Sequence, residues 1–166
     1  MAQPVVLVTF YCRSGQTETL ALSHAVGAVQ GRALIRLRRV ADVTAAAGTT
    51  EPELQRMLKE YVEPTEKDLL GADAIAIAPP PRANRTSPEW SAFLDLLARL
   101  GADGQLAGKT GAIVDTGDAA TVAAFSAALV ACGLTLVPPS SGAGSSPESA
   151  TAHGKQVAET AGRFKQ

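Results

Sequence analysis

Apolar and β-branched residues run from Pro4 to Phe10 (PVVLVTF), and shorter apolar runs return at Ala33 to Leu37, Ala74 to Ala78, Gly111 to Val114 and Leu134 to Val137. The first run has no wet side, so it predicts a strand covered on both faces, and the others repeat its character. Between the runs the period lengthens to that of a helix. Thr17 to Gln30 places Leu20, Ala21, His24, Ala25 and Ala28 on one side before Gly31, and Glu51 to Tyr61 does the same with Leu54, Met57, Leu58 and Tyr61. Ser87 to Leu100 has Pro88 and Glu89 at its start and Gly101 beyond its end, and Ala119 to Ala131 and Pro147 to Phe164 complete the set.

Five strands alternating with five crossover helices predict a parallel sheet covered on both faces, because right-handed crossovers lay each helix back on the sheet. At 166 residues the chain is read as one domain, 1–166, without internal repeats. Ligands of such sheets sit beyond the carboxyl ends of the strands, where neighbouring loops diverge. The loops after the first, third and fourth strands are therefore the candidate site. Two irregular stretches mark the rim: PPPRANRTSP, residues 79–88, and PPSSGAGSSP, residues 138–147.

The first strand feeds Cys12, Arg13, Ser14, Gly15, Gln16 and Thr17 before a helix. Backbone N–H groups at a helix start lack intrahelical partners and carry the positive end of the dipole, so they attract an anion. Gly15 permits the close turn, and the Ser14 and Thr17 hydroxyls can donate to phosphate oxygens. The same hydroxyls could instead simply cap the helix. The loop is neither a Walker A motif nor GxGxxG, which lowers nucleoside triphosphates and classical dinucleotide binding in rank.

Composition narrows the partners. The formal net charge of −1, with both signs scattered along the chain, excludes the basic stripe that nucleic acid requires. Cys12 and Cys132 have no metal-ligand spacing and make no disulfide framework, which fits a reducing cytoplasm. No stretch reaches a membrane span, and the opening MAQPVVLV lacks the basic region and cleavage site of a signal peptide.

In its motifs the chain resembles the flavodoxin-like flavoproteins, and within them the tryptophan-repressor-binding-protein-like (WrbA-type) NAD(P)H:quinone oxidoreductases. CRSGQT matches that family's phosphate loop, S/T-x-T-G-x-T, at Ser14, Gly15 and Thr17, with Cys12 where a hydroxyl is usual. APPPRANR, residues 78–85, takes the place of G-T-P-T-R-F-G-N. It matches at Pro80 and Arg82, has Pro81 for a hydroxyl, Ala83 for an aromatic and Asn84 for a glycine, and is followed by Phe93-Leu94-Asp95. Leu106-Ala107-Gly108-Lys109 resembles L-x-G-K, and Asp115-Thr116-Gly117 stands for S-T-G, with Asp118 opening a shortened continuation. Cys132-Gly133-Leu134 resembles a His-Gly-Met stretch, and Ser146-Pro147 onward resembles the last helix.

The resemblance implies a flavodoxin-like three-layer α/β/α sandwich, a five-stranded parallel sheet of order 2-1-3-4-5. It also implies FMN, with Cys12, Arg13, Ser14, Gly15, Gln16 and Thr17 at its phosphate. Pro80, Pro81, Arg82, Ala83 and Asn84 would border one side of the isoalloxazine, and Asp115, Thr116, Gly117 and Asp118 the other. NADH or NADPH would be the co-substrate and a quinone-like molecule the acceptor, with no obligate catalytic side chain and a possible homodimer. The alternative from another class is a flavodoxin-like protein that has lost FMN and binds another small anion or a protein partner. A one-electron carrier ranks last, since such carriers are strongly acidic and this chain is balanced.

Individual residues carry further expectations. Trp90 is read as helix or core packing ahead of covering a flavin. Cys12 is a tolerated small residue ahead of a reactive thiolate. His24 and His153 are structural or surface histidines, and Asp118 is a candidate cap of the following helix.

Overall fold

The computed structural model describes residues 2–43, 50–84, 86–139 and 145–166. Five strands, β1 (Val5–Phe10), β2 (Leu34–Arg39), β3 (Ala74–Ala78), β4 (Thr110–Ile113) and β5 (Thr135–Leu136), form one parallel sheet in the order β2-β1-β3-β4-β5. The fold class and strand order are those expected. β5 is shorter than the Leu134 to Val137 run because Pro138 and Pro139 have no N–H to extend the ladder, although Val137 N–H still reaches the Gly111 carbonyl at 2.9 Å.

The helices are α1 (Gln16–Gln30), α2 (Pro52–Glu60), α3 (Glu66–Gly71), α4 (Pro88–Ala102), α5 (Ala119–Ala131) and α6 (Pro147–Phe164). Alternation along the strands divides the core by size, as AIAIA of β3 makes plain. Val6, Val8, Ala74, Ala76, Ala78 and Ala112 meet Ala21, Ala25 and Ala28 of α1 and Ala150, Val157 and Ala158 of α6. On the other face Leu7, Ile75, Ile77 and Ile113 meet Trp90, Leu97 and Leu100 of α4 and Phe125 and Leu129 of α5.

The small-residue face lets two backbones touch. A Cβ on Gly27 would lie 1.8 Å from the Thr151 carbonyl oxygen, and one on Gly154 would lie 1.9 Å from that of His24. Only glycine fits where α1 and α6 cross.

The expectation of five helices is corrected to six among the described residues. The segment Glu51 to Tyr61, expected as a crossover helix, is α2, which packs Met57 into the alanine-rich layer beneath the loop that follows β1. The crossover that covers the other face between β2 and β3 is α3, which buries Leu69 there. A capping box starts α3: Asp68 N–H donates to Thr65 Oγ1 at 3.2 Å and Thr65 N–H returns to Asp68 Oδ2 at 3.0 Å. Asp68 also receives Arg38 of β2 through two bonds of 3.0 and 3.2 Å. Among the described residues no helix is long and apolar enough to cross a membrane.

Candidate functional site

Pairing of Phe10 with Ala78 and of Ile77 with Ile113 brings the carboxyl ends of β1, β3 and β4 side by side, so the three expected loops share one rim. Arg85 and residues 140–144, which belong to the two irregular stretches, lie outside the described residues.

Loop 1 turns on Gly15, whose φ of +89° places it in the left-handed region and makes it the N-cap of α1. No side chain caps the helix, so neither Ser14 nor Thr17 plays that simpler role. The first intrahelical bond runs from Thr19 N–H to the Gly15 carbonyl at 3.1 Å, leaving the preceding N–H groups to other acceptors. Arg13, Ser14 and Gln16 are exposed, whereas Cys12 and Thr17 are buried.

Two networks missing from the sequence reading fix this loop. Beneath it, the Arg39 guanidinium donates to the Cys12 carbonyl at 3.0 Å and to Asp42 at 2.7 Å, and lies 5.1 Å from the Tyr11 ring centre. Tyr11 donates to Asp42 at 2.8 Å; its burial and that carboxylate raise the phenol pKa above its ordinary value. Asp42, despite burial, is held below the ordinary carboxylate range by Arg39 and Tyr11. The signal available in the sequence was the pair of arginines that closes the strand, LRRV, with an aspartate three residues after Arg39.

Beside the loop, Arg56 of α2 grips Glu18 of α1 with bonds of 2.7 and 3.1 Å, and also binds Glu53 at 2.8 Å and Glu60 at 2.7 Å. Tyr61, packed edge-on against Phe10 at 4.9 Å, has its pKa pushed up to about 12 by burial and by its bond to Glu18. A Cβ on Gly15 would stand 3.6 Å from Glu53 Oε2, so a carboxylate borders the uncapped helix start. Arg13 faces Glu51 at 4.0 Å.

Cys12 Sγ lies 3.9 Å from Met57 Sδ. Burial pushes the thiol pKa up, against the opposing effect of the Glu18 and Gly15 N–H groups, so the thiolate reading of Cys12 is corrected to a neutral, buried thiol.

Loop 2 contains a turn from Pro80 to Ala83, closed by Ala83 N–H on the Pro80 carbonyl at 3.1 Å. Pro81 at its second position and a φ of +68° at Arg82 are the marks of a type II turn, although glycine or asparagine is usual at the latter position. The strained Arg82 is held by its N–H bond to Asp118 Oδ2 at 2.8 Å, which leaves its guanidinium in the exposed part of the loop. Asn84 spends its side-chain oxygen on Thr86, accepting from N–H at 2.9 Å and from the hydroxyl at 2.6 Å.

Loop 3 is tied to loop 2 at three points. Thr116 donates to the Pro79 carbonyl at 2.6 Å, Thr121 donates to the Ala83 carbonyl at 3.0 Å, and Asp118 makes the Arg82 contact. Asp118 also caps α5 as expected, accepting from Ala120 and Thr121 N–H, and these N–H bonds, that of Arg82 first, lower its pKa. Asp115 accepts from Gly117 N–H at 2.8 Å; Gly117 has a φ of +99°.

The structure thus brings the described residues of the three predicted loops together. Trp90 is fully buried against Phe93 and Phe125, so it packs the core and covers no ligand. His24 and His153 are buried too, which removes the surface option for both. A cleft of about 830 Å³ opens at the other end of the sheet, near Pro4, Gly31, Arg32 and Arg163, away from all three loops.

The residues present fit a phosphate in their donor chemistry: an uncapped helix start, a left-handed glycine and an exposed hydroxyl at Ser14. Glu53 is the feature that works against a dianion there.

No protein-family model matches the chain. It is similar to the NAD(P)H dehydrogenase (quinone) of Cupriavidus metallidurans, with 34% identity over 138 residues that make up 80% of this chain and 69% of the relative. The protein of that name from Archaeoglobus fulgidus is 29% identical over 142 residues, 80% of this chain and 74% of the relative. The match to NAD(P)H dehydrogenase (quinone) 3 of Rhizobium meliloti, at 32% identity, spans half of that relative's length. Among solved structures, the WrbA-like flavodoxin protein of Agrobacterium tumefaciens superposes with a TM-score of 0.66 at 18% identity, covering 97% of this chain and 99% of that one. The Streptococcus pneumoniae flavodoxin gives 0.62 at 19% identity, covering 96% and 98%. At these identities the structural likeness speaks for the fold.

Proposed function

Because the chain belongs to the NAD(P)H dehydrogenase (quinone) family, we propose that it is an FMN-dependent NAD(P)H:quinone oxidoreductase, working in the cytoplasm as a homodimer. The observation that carries the cofactor is the start of α1, where Gly15 turns left-handed and no side chain caps the helix. The N–H groups and hydroxyl of Ser14 to Thr17 would hold the phosphate, and residues of loops 2 and 3 would border the isoalloxazine. When bound, the flavin supplies the two-electron relay between a nicotinamide and a quinone-like acceptor, and the chemistry is its own.

The chain's contribution is orientation. The Arg39 bond to the Cys12 carbonyl fixes the phosphate end, and the Asp118 bond to Arg82 fixes the distance between the rim loops. With loops pinned at both ends, the ligand loses less freedom on binding than it would on a mobile rim. In a second reading the protein is flavodoxin-like, has lost FMN and binds another small anion or a protein partner; the Glu53 carboxylate beside Gly15 disfavours a phosphate dianion and so leans toward the protein partner.

Flavin retention separates the two. The purified protein is mixed with FMN, desalted and scanned for a protein-bound flavin spectrum; loss of all flavin at micromolar protein refutes the oxidoreductase reading. With flavin retained, NADH and NADPH are compared as donors in benzoquinone reduction, and a rate no higher than that of free FMN refutes the enzyme assignment.

A further inference from the structure

At the edge of the sheet opposite the three loops, the ends of α1 and α6 converge on Pro4 and leave a cleft of about 830 Å³. That volume is within the roughly 300–1,000 Å³ of small-molecule sites. Its floor is uncharged and buried or half-buried, made by Pro4, Gly31, Ala158 and Gly162, while Arg32 and Arg163 stand exposed at its rim. Close contact between the helices fixes the floor, since a Cβ on Gly31 would lie 2.8 Å from both the Ala158 Cβ and the Lys155 carbonyl oxygen.

Arg32 is the unusual residue. Its φ of +66° is left-handed, and it occupies the position after α1 where glycine is usual. Its N–H closes on the Val29 carbonyl at 2.9 Å and that of Ala33 on the Ala28 carbonyl at 3.0 Å. The glycine of this segment stands one residue earlier, at the contact with α6. Among the described residues the other non-glycine residue with a positive φ is Arg82, on the rim formed by the site loops. Strain of this kind collects at ligand contacts, where the side chain has a use that offsets it. For Arg32 that use lies outside the fold. Backbone N–H groups already take the last α1 carbonyls, and among the described residues neither the Arg32 nor the Arg163 guanidinium has a hydrogen bond or an ion pair.

We propose that this cleft binds a small organic acid, a flat apolar body bearing one carboxylate, at a site separate from the flavin. Two guanidinium forks match a carboxylate, and the uncharged floor suits the body. Lys165 is committed elsewhere, to Asp73 at 2.9 Å and to the Gln3 carbonyl at 3.1 Å. Against the arginines stand Glu159 in the same lining and the negative ends of the α1 and α6 dipoles, which favour a single negative charge over the two of a phosphate ester. Because the dipoles oppose any anion, binding depends on the arginines.

Naphthylacetate is the probe, titrated at low salt into isotope-labelled protein whose amide signals are followed by NMR. It is expected to shift Gly31, Arg32 and Gly162 saturably at millimolar concentration and to leave Gly15 and Gly117 in place. No saturable shift at the first three, or an equal shift at the last two, overturns the site. The uncharged naphthylacetamide is expected to bind at least about tenfold more weakly, and naphthyl phosphate no more tightly than the carboxylate. Equal affinity for the amide overturns the role of the arginines, and tighter binding of the phosphate overturns the single charge.

Arg32→Gly suits the left-handed backbone, so it is expected to melt at or above the wild-type temperature while its naphthylacetate affinity falls at least about fivefold. Arg163→Gln is expected to lose affinity to a similar degree. Unchanged affinity in Arg32→Gly would mean that the guanidinium does not meet the acid, and a lower melting temperature would mean that the arginine serves the fold; either result overturns the proposal.

Discussion

Replacing His24 by leucine tests the most costly polar group in the α1–α6 interface. His24 is fully buried, neither ring nitrogen has a hydrogen-bond partner, and its ring stands edge-to-face with that of His153 at 5.1 Å. Burial first, and the neighbouring His153 second, push its pKa from 6.5 down to about 3. Below pH 6.5 the unfolded chain takes up a proton that the folded one refuses, so stability falls with pH until the folded state also protonates near pH 3. At about 1.4 kcal/mol per pH unit, the step from pH 7 to pH 5 costs about 2 kcal/mol, and the whole interval about 5 kcal/mol. His153 contributes in the same direction, since burial outweighs its bond to the Val137 carbonyl.

The window from pH 7 to 5 isolates the histidines. The stability that Asp42 and Asp68 contribute is present above pH 3.8 and lost only as the pH falls below it. Urea unfolding of wild type and His24→Leu at pH 7 and pH 5, followed by circular dichroism, is the assay. Wild type should lose at least about 2 kcal/mol between the two pH values, and the variant about 2 kcal/mol less than wild type. At pH 7 the variant should be at least as stable, because it removes two unpartnered buried nitrogens whose burial costs about 1–3 kcal/mol apiece. An unchanged pH slope in His24→Leu would refute the reasoning, since it would mean that His24 titrates alike in both states.

Three further outcomes follow from the geometry. Gly154→Ala forces a methyl group to 1.9 Å from the His24 carbonyl oxygen, and thermal melting should reveal a loss of roughly 3 kcal/mol or more, or no folded protein. Asp118→Ala removes both the cap of α5 and the acceptor that holds Arg82, so the urea midpoint should fall below that of wild type, with flavin affinity falling in parallel. Glu53→Gln removes the carboxylate beside Gly15 and should tighten FMN binding by calorimetry, roughly threefold to tenfold, an effect that shrinks in high salt. Equal FMN affinity of Glu53→Gln and wild type at low salt would mean that Glu53 does not face the phosphate.

The strands were legible because the inner ones are apolar on both faces, and their order came with the resemblance. α3 was not, since six residues are too few to display a helical period, although its T-E-K-D capping box stood in the sequence. The place of α2 was hidden for another reason. It is set by Met57 under Cys12 and Arg56 across Glu18, contacts between residues some forty positions apart that no local pattern encodes. The positive φ of Arg82 was equally invisible, because the turn residue that would announce it, glycine or asparagine, is absent and Asp118 supplies the compensating bond from far along the chain. The resemblance follows the backbone of the three loops, while the electrostatics around them come from Arg39, Asp42, Glu53 and Arg56, which lie outside its motifs.

That division explains how loop 1 accommodates Cys12. A hydroxyl at this position would offer a donor; the thiol is buried against Met57, and the Glu18 and Gly15 N–H groups that approach it only partly offset the cost of ionising it. What places the loop is the Cys12 carbonyl, which Arg39 holds through a guanidinium itself fixed by Asp42 and stacked on Tyr11. The carbonyl is the same whatever side chain follows it, so exchanging a hydroxyl for a thiol removes one donor and leaves the loop's course unchanged. The cost of losing Arg39 would be larger: Asp42 would be left as a buried, unpaired carboxylate, of order 3–5 kcal/mol by comparison with other broken buried pairs. The course of loop 1 is therefore maintained from beneath, by a buried ion pair at the end of β2, rather than by the side chains of the loop itself.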